Sequence, residues 1–352
     1  MKRLTKKNVR LGLTGLGLTL VLFLSACEMN NDPHATSSND GLTPVNIGFP
    51  SAGGNWPFGT LGVAYEFGYL AHYLEPLGFT PHVTGFVGAA PALHEALISS
   101  DLDLVNYAGF ASILGRARGI DTTLLAISDY RAPWSLIVSV ESGIQSLADL
   151  AGSRIAYQSG ASPHMYLLRV LDEAGLAFEE VTGFNMSIPD GLAAITTGSI
   201  DAAVISTGQA TDLIENAYVQ VLHAGFASDP TVFFEPSVSI GRTTFVDNHP
   251  EVVVAYLQAL LAARERIAAD PQAYYALFSE RSGNHIDVIT SIASDDKVVS
   301  YPLNLDAHHL ETLRTIQAFQ LEHGIIEHEF SIDAWQNEAF INQAIEEHAR
   351  ER

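Results

Sequence analysis

Residues Gln158–Pro163, QSGASP, have the composition of a site that could hold an oxyanion. Arg154–Tyr157 reads as a strand and His164–Glu173 as an amphipathic helix closed by Gly175, so the turn between them opens a helix. The first amide N–H groups of a helix lack intrahelical acceptors and stand at the positive end of its dipole. Gly160, Ala161 and Ser162 leave room for close approach, Ser159 and Ser162 add hydroxyls, and Pro163 fits a first turn where its missing N–H costs little. His164 is the histidine nearest this turn. An ordinary crossover between strand and helix has the same local pattern, so the turn alone does not define a site.

Catalytic and metal patterns are weaker. His308-His309 with Glu311 falls on a helix, where adjacent residues project in different directions and read as a solvated face. His94-Glu95 lacks the second histidine of a helical zinc motif, and Gly109–Gly119 lacks the lysine of a phosphate loop. Cys27 is the only cysteine, which excludes an internal disulfide, a thiolate metal site and, with Cys27 modified as argued below, a cysteine nucleophile.

The elements that would position such a turn repeat along the chain. Val45–Phe49 reads as a strand and runs into a Gly- and Pro-rich loop holding Asn55 and Trp56. Thr80–Gly85 runs to Gly88, Ala89 and a helix, Leu102–Asn106 to Tyr107, Ala108 and a helix, and Asp201–Ile205 to Ser206-Thr207-Gly208-Gln209. Strand ends lie side by side in an open parallel sheet, so several small-residue turns converge on one crevice. Leu124–Ile127 followed by Ser135–Val140 reads as a crossing into a second lobe. Strands at Val219–His223 and Ser237–Arg242 bring the chain back to a helical tail of Val252–Ile267, Ala273–Phe278, Leu310–His323 and Ala334–His348. This predicts an α/β, two-lobed clamshell with 44–133 plus 243–352 as lobe 1 and 134–242 as lobe 2. The expected hinges are Tyr130–Trp134, where Arg131 could add a charge or form an interlobe ion pair, and Phe234–Arg242.

The N-terminus reads as an export signal. Residues 1–26 carry Lys2, Arg3, Lys6, Lys7 and Arg10 before an apolar run from Leu11 to Leu24, too short for a stable span. Leu24-Ser25-Ala26-Cys27 looks like a bacterial lipobox, which implies cleavage before Cys27 and lipid on that residue. Residues 27–43 then read as a lipidated, flexible tether. About 325 residues remain, enough for two ordinary domains. The net charge is −22, or −27 without the five basic residues of the signal, which argues against nucleic acid as a partner. Lys297 is the only lysine left after cleavage, and such an acidic surface suits a salty or alkaline exterior.

SGIQSLADLAGSRIAYQSGASPH with LLRVLDEAGL resembles the solute-binding components of bacterial ABC importers for aliphatic sulfonates, taurine and nitrate. This broad family also includes binders of pyrimidine precursors. The DLDLVNYAGFASILGRARGI, IPDGLAAITTGSIDAAVIS and HPEVVVAYLQALLAA segments extend the resemblance over most of the chain beyond the signal. It implies a type II periplasmic-binding-protein-like fold with its C-terminal helices packed on the first lobe. It also implies a lipid-anchored, monomeric protein on the extracytoplasmic face, which passes a small anionic solute to a membrane permease and its ATPase, with no cofactor or metal. Implied ligand contacts are Asn55, Trp56, Gly88, Ala89, Tyr107, Ala108, Ser159, Ala161, Ser162 and His164. Ser206 and Gln209 stand where the family often has an aromatic residue, a departure that leaves the organic part of the ligand open, with Trp56 as a replacement surface. A thiamine-pyrimidine heterocycle as ligand, or a sensing lobe for a membrane receptor, fits the same turns. Some proteins of this fold are enzymes that make the thiamine pyrimidine, using a cysteine-rich motif and a cofactor-bearing lysine that this chain lacks.

Overall fold

The structure is a computed structural model and describes residues 41–51, 56–131, 134–293 and 301–351. The signal, Cys27, the tether up to residue 40, Asn55 and Lys297 lie outside the described residues, as does the side chain of Arg131. Gly41–Arg352 forms one compact unit.

Ten described strands form two sheets. They are β1 (Thr43–Pro50), β2 (Phe79–Phe86), β3 (Leu104–Ala108), β4 (Thr122–Arg131), β5 (Trp134–Ser139), β6 (Arg154–Tyr157), β7 (Thr182–Asn185), β8 (Ala202–Ser206), β9 (Val219–Ala224) and β10 (Glu235–Arg242). The first sheet has the order β2-β1-β3-β10-β4 and the second β7-β6-β8-β5-β9. In both, three parallel strands lie in the order second, first, third, and the next strand over runs antiparallel.

β10 corrects the expected lobe boundary and the second hinge. Residues 235–242, placed in lobe 2 from the sequence, pair with β3 and β4 in the first sheet. The return crossing therefore falls at Phe233–Glu235. Glu235 is registered opposite Arg131, so the outgoing and returning chains leave the first sheet side by side. Local periodicity identifies β10 as a strand, but which sheet receives it depends on partners over a hundred residues away.

Packing follows the alternation of side chains along each strand. In the second sheet Leu136 and Val138 face one apolar cluster with Leu167 and Leu171 of the helix Ser162–Ala174, while Ile137, Ala203 and Ile205 face another beneath the helix Ile188–Thr196. Both faces are covered, so its central strands read as continuous apolar runs. In the first lobe the helix Pro250–Ala269, buried on most sides, joins Val45, Ile47, Leu104 and Leu125 with Leu313, Trp335 and Ile341 from the C-terminal helices in one core. The helix expected over Ala334–His348 is broken between Ile332–Trp335 and Glu338–Arg350, where Asn337 caps the second piece by accepting from Ala339 N.

Candidate functional site: the cleft between the sheets

Helix starts from both lobes meet in a cavity of about 190 Å³. Ala89 and Ala90 open the helix Ala89–Ile98, Ala108 caps Gly109–Ala117, Ala161 to Pro163 open Ser162–Ala174, and Ser187 to Pro189 open Ile188–Thr196. Ser51, Tyr107, Trp134, Gln158 and Ser206 complete the polar and aromatic wall, and no charged residue lines it among the described residues. Neutral O–H and N–H donors at helix starts can hold a negative group without a cation. The Trp134 Nε1–H is buried and has no acceptor among the described residues.

The four starts are not equivalent. Phe110 N–H, in the first turn of Gly109–Ala117, donates to the buried Glu235 Oε1 at 3.0 Å. This protein carboxylate already uses that end of the helix dipole. Gly109 permits the approach, because a Cβ there would stand 3.0 Å from the Pro236 carbonyl. Ser187 Oγ accepts from Asp190 N at 3.3 Å and donates to the Asp190 carboxylate, so Ile188–Thr196 is also locally capped. The starts at Ala89 and Ser162 show no side-chain cap. Ala89 takes the left-handed conformation, φ 48°, while Gly88 before it does not. A left-handed non-glycine residue costs about 1–2 kcal/mol and here bends the chain into the cleft wall.

The expected site residues divide accordingly. Ala89, Tyr107, Ala108, Ala161, Ser162 and Ser206 line this cavity. Trp56 and Gln209 line an adjoining cavity of about 210 Å³, which shares Pro50, Ser51 and Ser206 with the first. Gly88 is the cap residue before Ala89 and is absent from both linings. Ser159 is also absent from both linings, and its backbone N–H donates to Asn185 Oδ1 at 2.9 Å.

His164 is displaced from the site altogether. Its ring lies 4.9 Å from Tyr157, 6.0 Å from Phe178 and 6.2 Å from Phe110, and burial together with the nearby His323 pushes its pKa down to about 4. Two residues along a helix turn through roughly 200°, so His164 faces away from the cleft that Ser162 lines. That spacing was available in the sequence. Gln158, expected in the turn, and Trp134, expected in the hinge, also line the first cavity; residues not singled out beforehand include Ser187 and Val87 there, and Phe58, Phe278 and Arg281 in the second. Ser187-Ile188-Pro189-Asp190 carries a helix-start signature that could have been found. The late helix bearing Phe278 has no local feature pointing to the cleft.

A polar layer supports the wall. His94 Nε2 lies 3.1 Å from the Ala111 carbonyl and 3.4 Å from the Tyr107 hydroxyl, and burial lowers its pKa to about 4, so it is neutral near pH 7. On the helix Ser162–Ala174, the buried Arg169 donates to the Val232 carbonyl beside the return crossing, and its guanidinium lies 5.2 Å from the Phe319 ring of lobe 1. Asp172 meets His323 at 3.1 Å. The helix that presents Ser162 thus also bridges the lobes near the hinge. Among the described residues no group of three His, Cys, Asp or Glu side chains is placed to hold a metal ion.

Two sheets of matching strand order, two adjacent crossings and a cleft lined by helix starts define a two-lobed, type II periplasmic-binding-protein-like fold. The chain belongs to the NMT1/THI5-like family, whose pattern matches residues 91–274. A Bacillus subtilis (strain 168) protein named for aliphatic sulfonates binding is 24% identical over 339 residues, covering 94% of this chain and 96% of that protein. An Escherichia coli (strain K12) protein named likewise is 33% identical over 118 residues, which span 33% of this chain and 37% of its own length. The alkanesulfonate-binding protein of Xanthomonas axonopodis pv. citri bound to MOPS superposes with a TM-score of 0.69 at 20% identity, over 84% of this chain and 99% of that one. The desulfurization enzyme DSZB shares the fold at a TM-score of 0.67 and 18% identity, over 87% of this chain and 99% of that one.

Proposed function

We propose that this chain is the extracytoplasmic solute-binding lipoprotein of an ABC importer and captures a small organic sulfonate by closure of its lobes. The observation that carries the reading is the convergence of helix starts without side-chain caps, Ala89 from one lobe and Ser162 from the other, on a cavity whose polar groups among the described residues are uncharged. A ligand touching both lobes favours the closed state by its differential contacts, and the paired crossings at Arg131 and Glu235 are suited to act as the hinge. The names of the relatives, for aliphatic sulfonates and for taurine, support the same class of solute. Lipid on Cys27 would keep the protein at the membrane, where the closed form meets the permease and its ATPase. Binding rather than catalysis is favoured because, among the described residues, the cavity wall has hydroxyls and amides but no carboxylate, cysteine or lysine.

The test is a thermal-shift and calorimetric panel of methanesulfonate, ethanesulfonate, taurine, nitrate, sulfate and a thiamine-type aminopyrimidine. A solute at a hundred times its dissociation constant stabilises by about 2.7 kcal/mol, enough to raise Tm by several degrees. Response to sulfonates is the expected result. Response to the pyrimidine alone would replace the solute class and keep the clamshell, and response to none would remove the sulfonate reading. Mass spectrometry of the processed N-terminus decides the lipid separately: an unmodified Cys27 would refute the anchor.

A further inference from the structure

The cavity bounded by helix starts is only part of the cleft. Beyond Pro50, Ser51 and Ser206 it adjoins the second chamber of about 210 Å³, whose character differs. Trp56 and Phe278 lie 6.1 Å apart with their planes inclined by 34°, and Phe58 meets Phe278 edge-on at 4.7 Å, so three rings form one aromatic wall. Asn106, Gln209 and Arg281 stand around it. The wall is held in place: Gly62 leaves room for the indole, since a Cβ there would meet the Trp56 ring at 2.8 Å, and Arg281 is tethered by its ion pair to Glu66. The buried Trp56 Nε1–H has no acceptor among the described residues.

We infer that the second chamber seats an aromatic ring of the same solute whose anionic head occupies the first, so that the preferred ligands are aryl or arylalkyl sulfonates rather than short alkanesulfonates. The inference rests on the sulfonate reading above. Room is sufficient, since a cavity of roughly 150 Å³ accepts benzene, and polar side chains share the wall with the three rings. A methyl or ethyl group on a head bound in the first chamber would leave the second without a ligand contact. A phenyl group would meet the three rings, and aromatic pairs gain beyond the area they bury. The aromatic residue missing after β8, where Ser206 and Gln209 stand, is thus replaced from the first lobe by Trp56, Phe58 and Phe278.

The experiment is isothermal titration of the full-length chain in a neutral maltoside detergent with ethanesulfonate and with 2-phenylethanesulfonate, for the wild type and for Phe278→Leu. The leucine keeps apolar bulk and removes the aromatic ring. The expected wild-type result is about tenfold tighter binding of the phenyl compound. In Phe278→Leu the ratio of the two affinities should fall to about two or less, a readout insensitive to any uniform loss of active protein. If ethanesulfonate binds and the phenyl compound binds no better, or if the ratio persists in Phe278→Leu, the aromatic seat is overturned and the sulfonate reading stands. If neither compound binds the wild type, both are overturned, the sulfonate reading first.

Discussion

Burial of His164 among Tyr157, Phe178 and Phe110 makes it a source of acid lability. Its pKa falls to about 4 in the folded protein against an ordinary value of 6.5, so the unfolded chain binds more protons between those limits. Its stabilising contribution is complete above about pH 6.5 and is lost as the pH falls toward 4. At 1.36 kcal/mol per unit, the 2.5-unit difference corresponds to about 3.4 kcal/mol at the acid limit, of which roughly 2 kcal/mol is lost between pH 7 and pH 5. His164→Phe keeps an aromatic ring in the slot and removes the titrating group. Urea unfolding of wild type and variant at pH 7, 6 and 5 isolates this contribution, because the many carboxylates titrate alike in both. The variant is expected to lose about 2 kcal/mol less than the wild type over that interval. Parallel pH dependences, within about 0.5 kcal/mol, would refute the reasoning and put the imidazole in contact with water.

Three further outcomes are expected. Ser162→Leu, at the helix start shared by cleft and interlobe helix, should weaken sulfonate binding by at least about tenfold while the circular dichroism spectrum stays native, and unchanged affinity by calorimetry would take that turn out of the site. Gly115→Ala places a Cβ 2.7 Å from His94 Nε2, which the Ala111 carbonyl holds in position, and should cost about 1–3 kcal/mol in urea unfolding; a cost under about 0.5 kcal/mol would show that the imidazole moves aside. Trp56 and Trp134 line the two chambers while Trp335 is buried in the core with its indole N–H on Thr122 Oγ1, so saturating sulfonate should change the tryptophan emission, and Trp134→Phe should remove a large part of that change. Sulfonate binding without an emission change would argue against a cleft occupied beside these rings.

The strand Arg154–Tyr157 and the stop at Gly175 fall where the sequence places them, because each depends on neighbours a few residues away. The strand is a short run entering a Gly-Ala-Ser turn, and Gly175 adopts φ 69°, the left-handed helix end that glycine favours. Ala161 and Ser162 reach the cleft for the same local reason. At the other junction Ala89, not the glycine before it, takes the left-handed conformation, and Gly88 is close-packed so that a Cβ would meet Ala92 Cβ at 2.9 Å. Packing decided which residue bends.

Sequence by itself determined most of the elements, the repeated strand-to-helix turns and the small, uncharged residues at the turns of the first chamber, since propensity, periodicity and helix-end chemistry act over one or two turns of chain. Only the tertiary structure decided that β10 returns to the first sheet, that it brings Glu235 onto a helix start that looked open, and that Phe278 closes an aromatic chamber against Trp56. Each of these joins residues separated by more than a hundred positions, and the energy that selects such pairs comes from burial and complementary packing of whole surfaces, which no local pattern encodes.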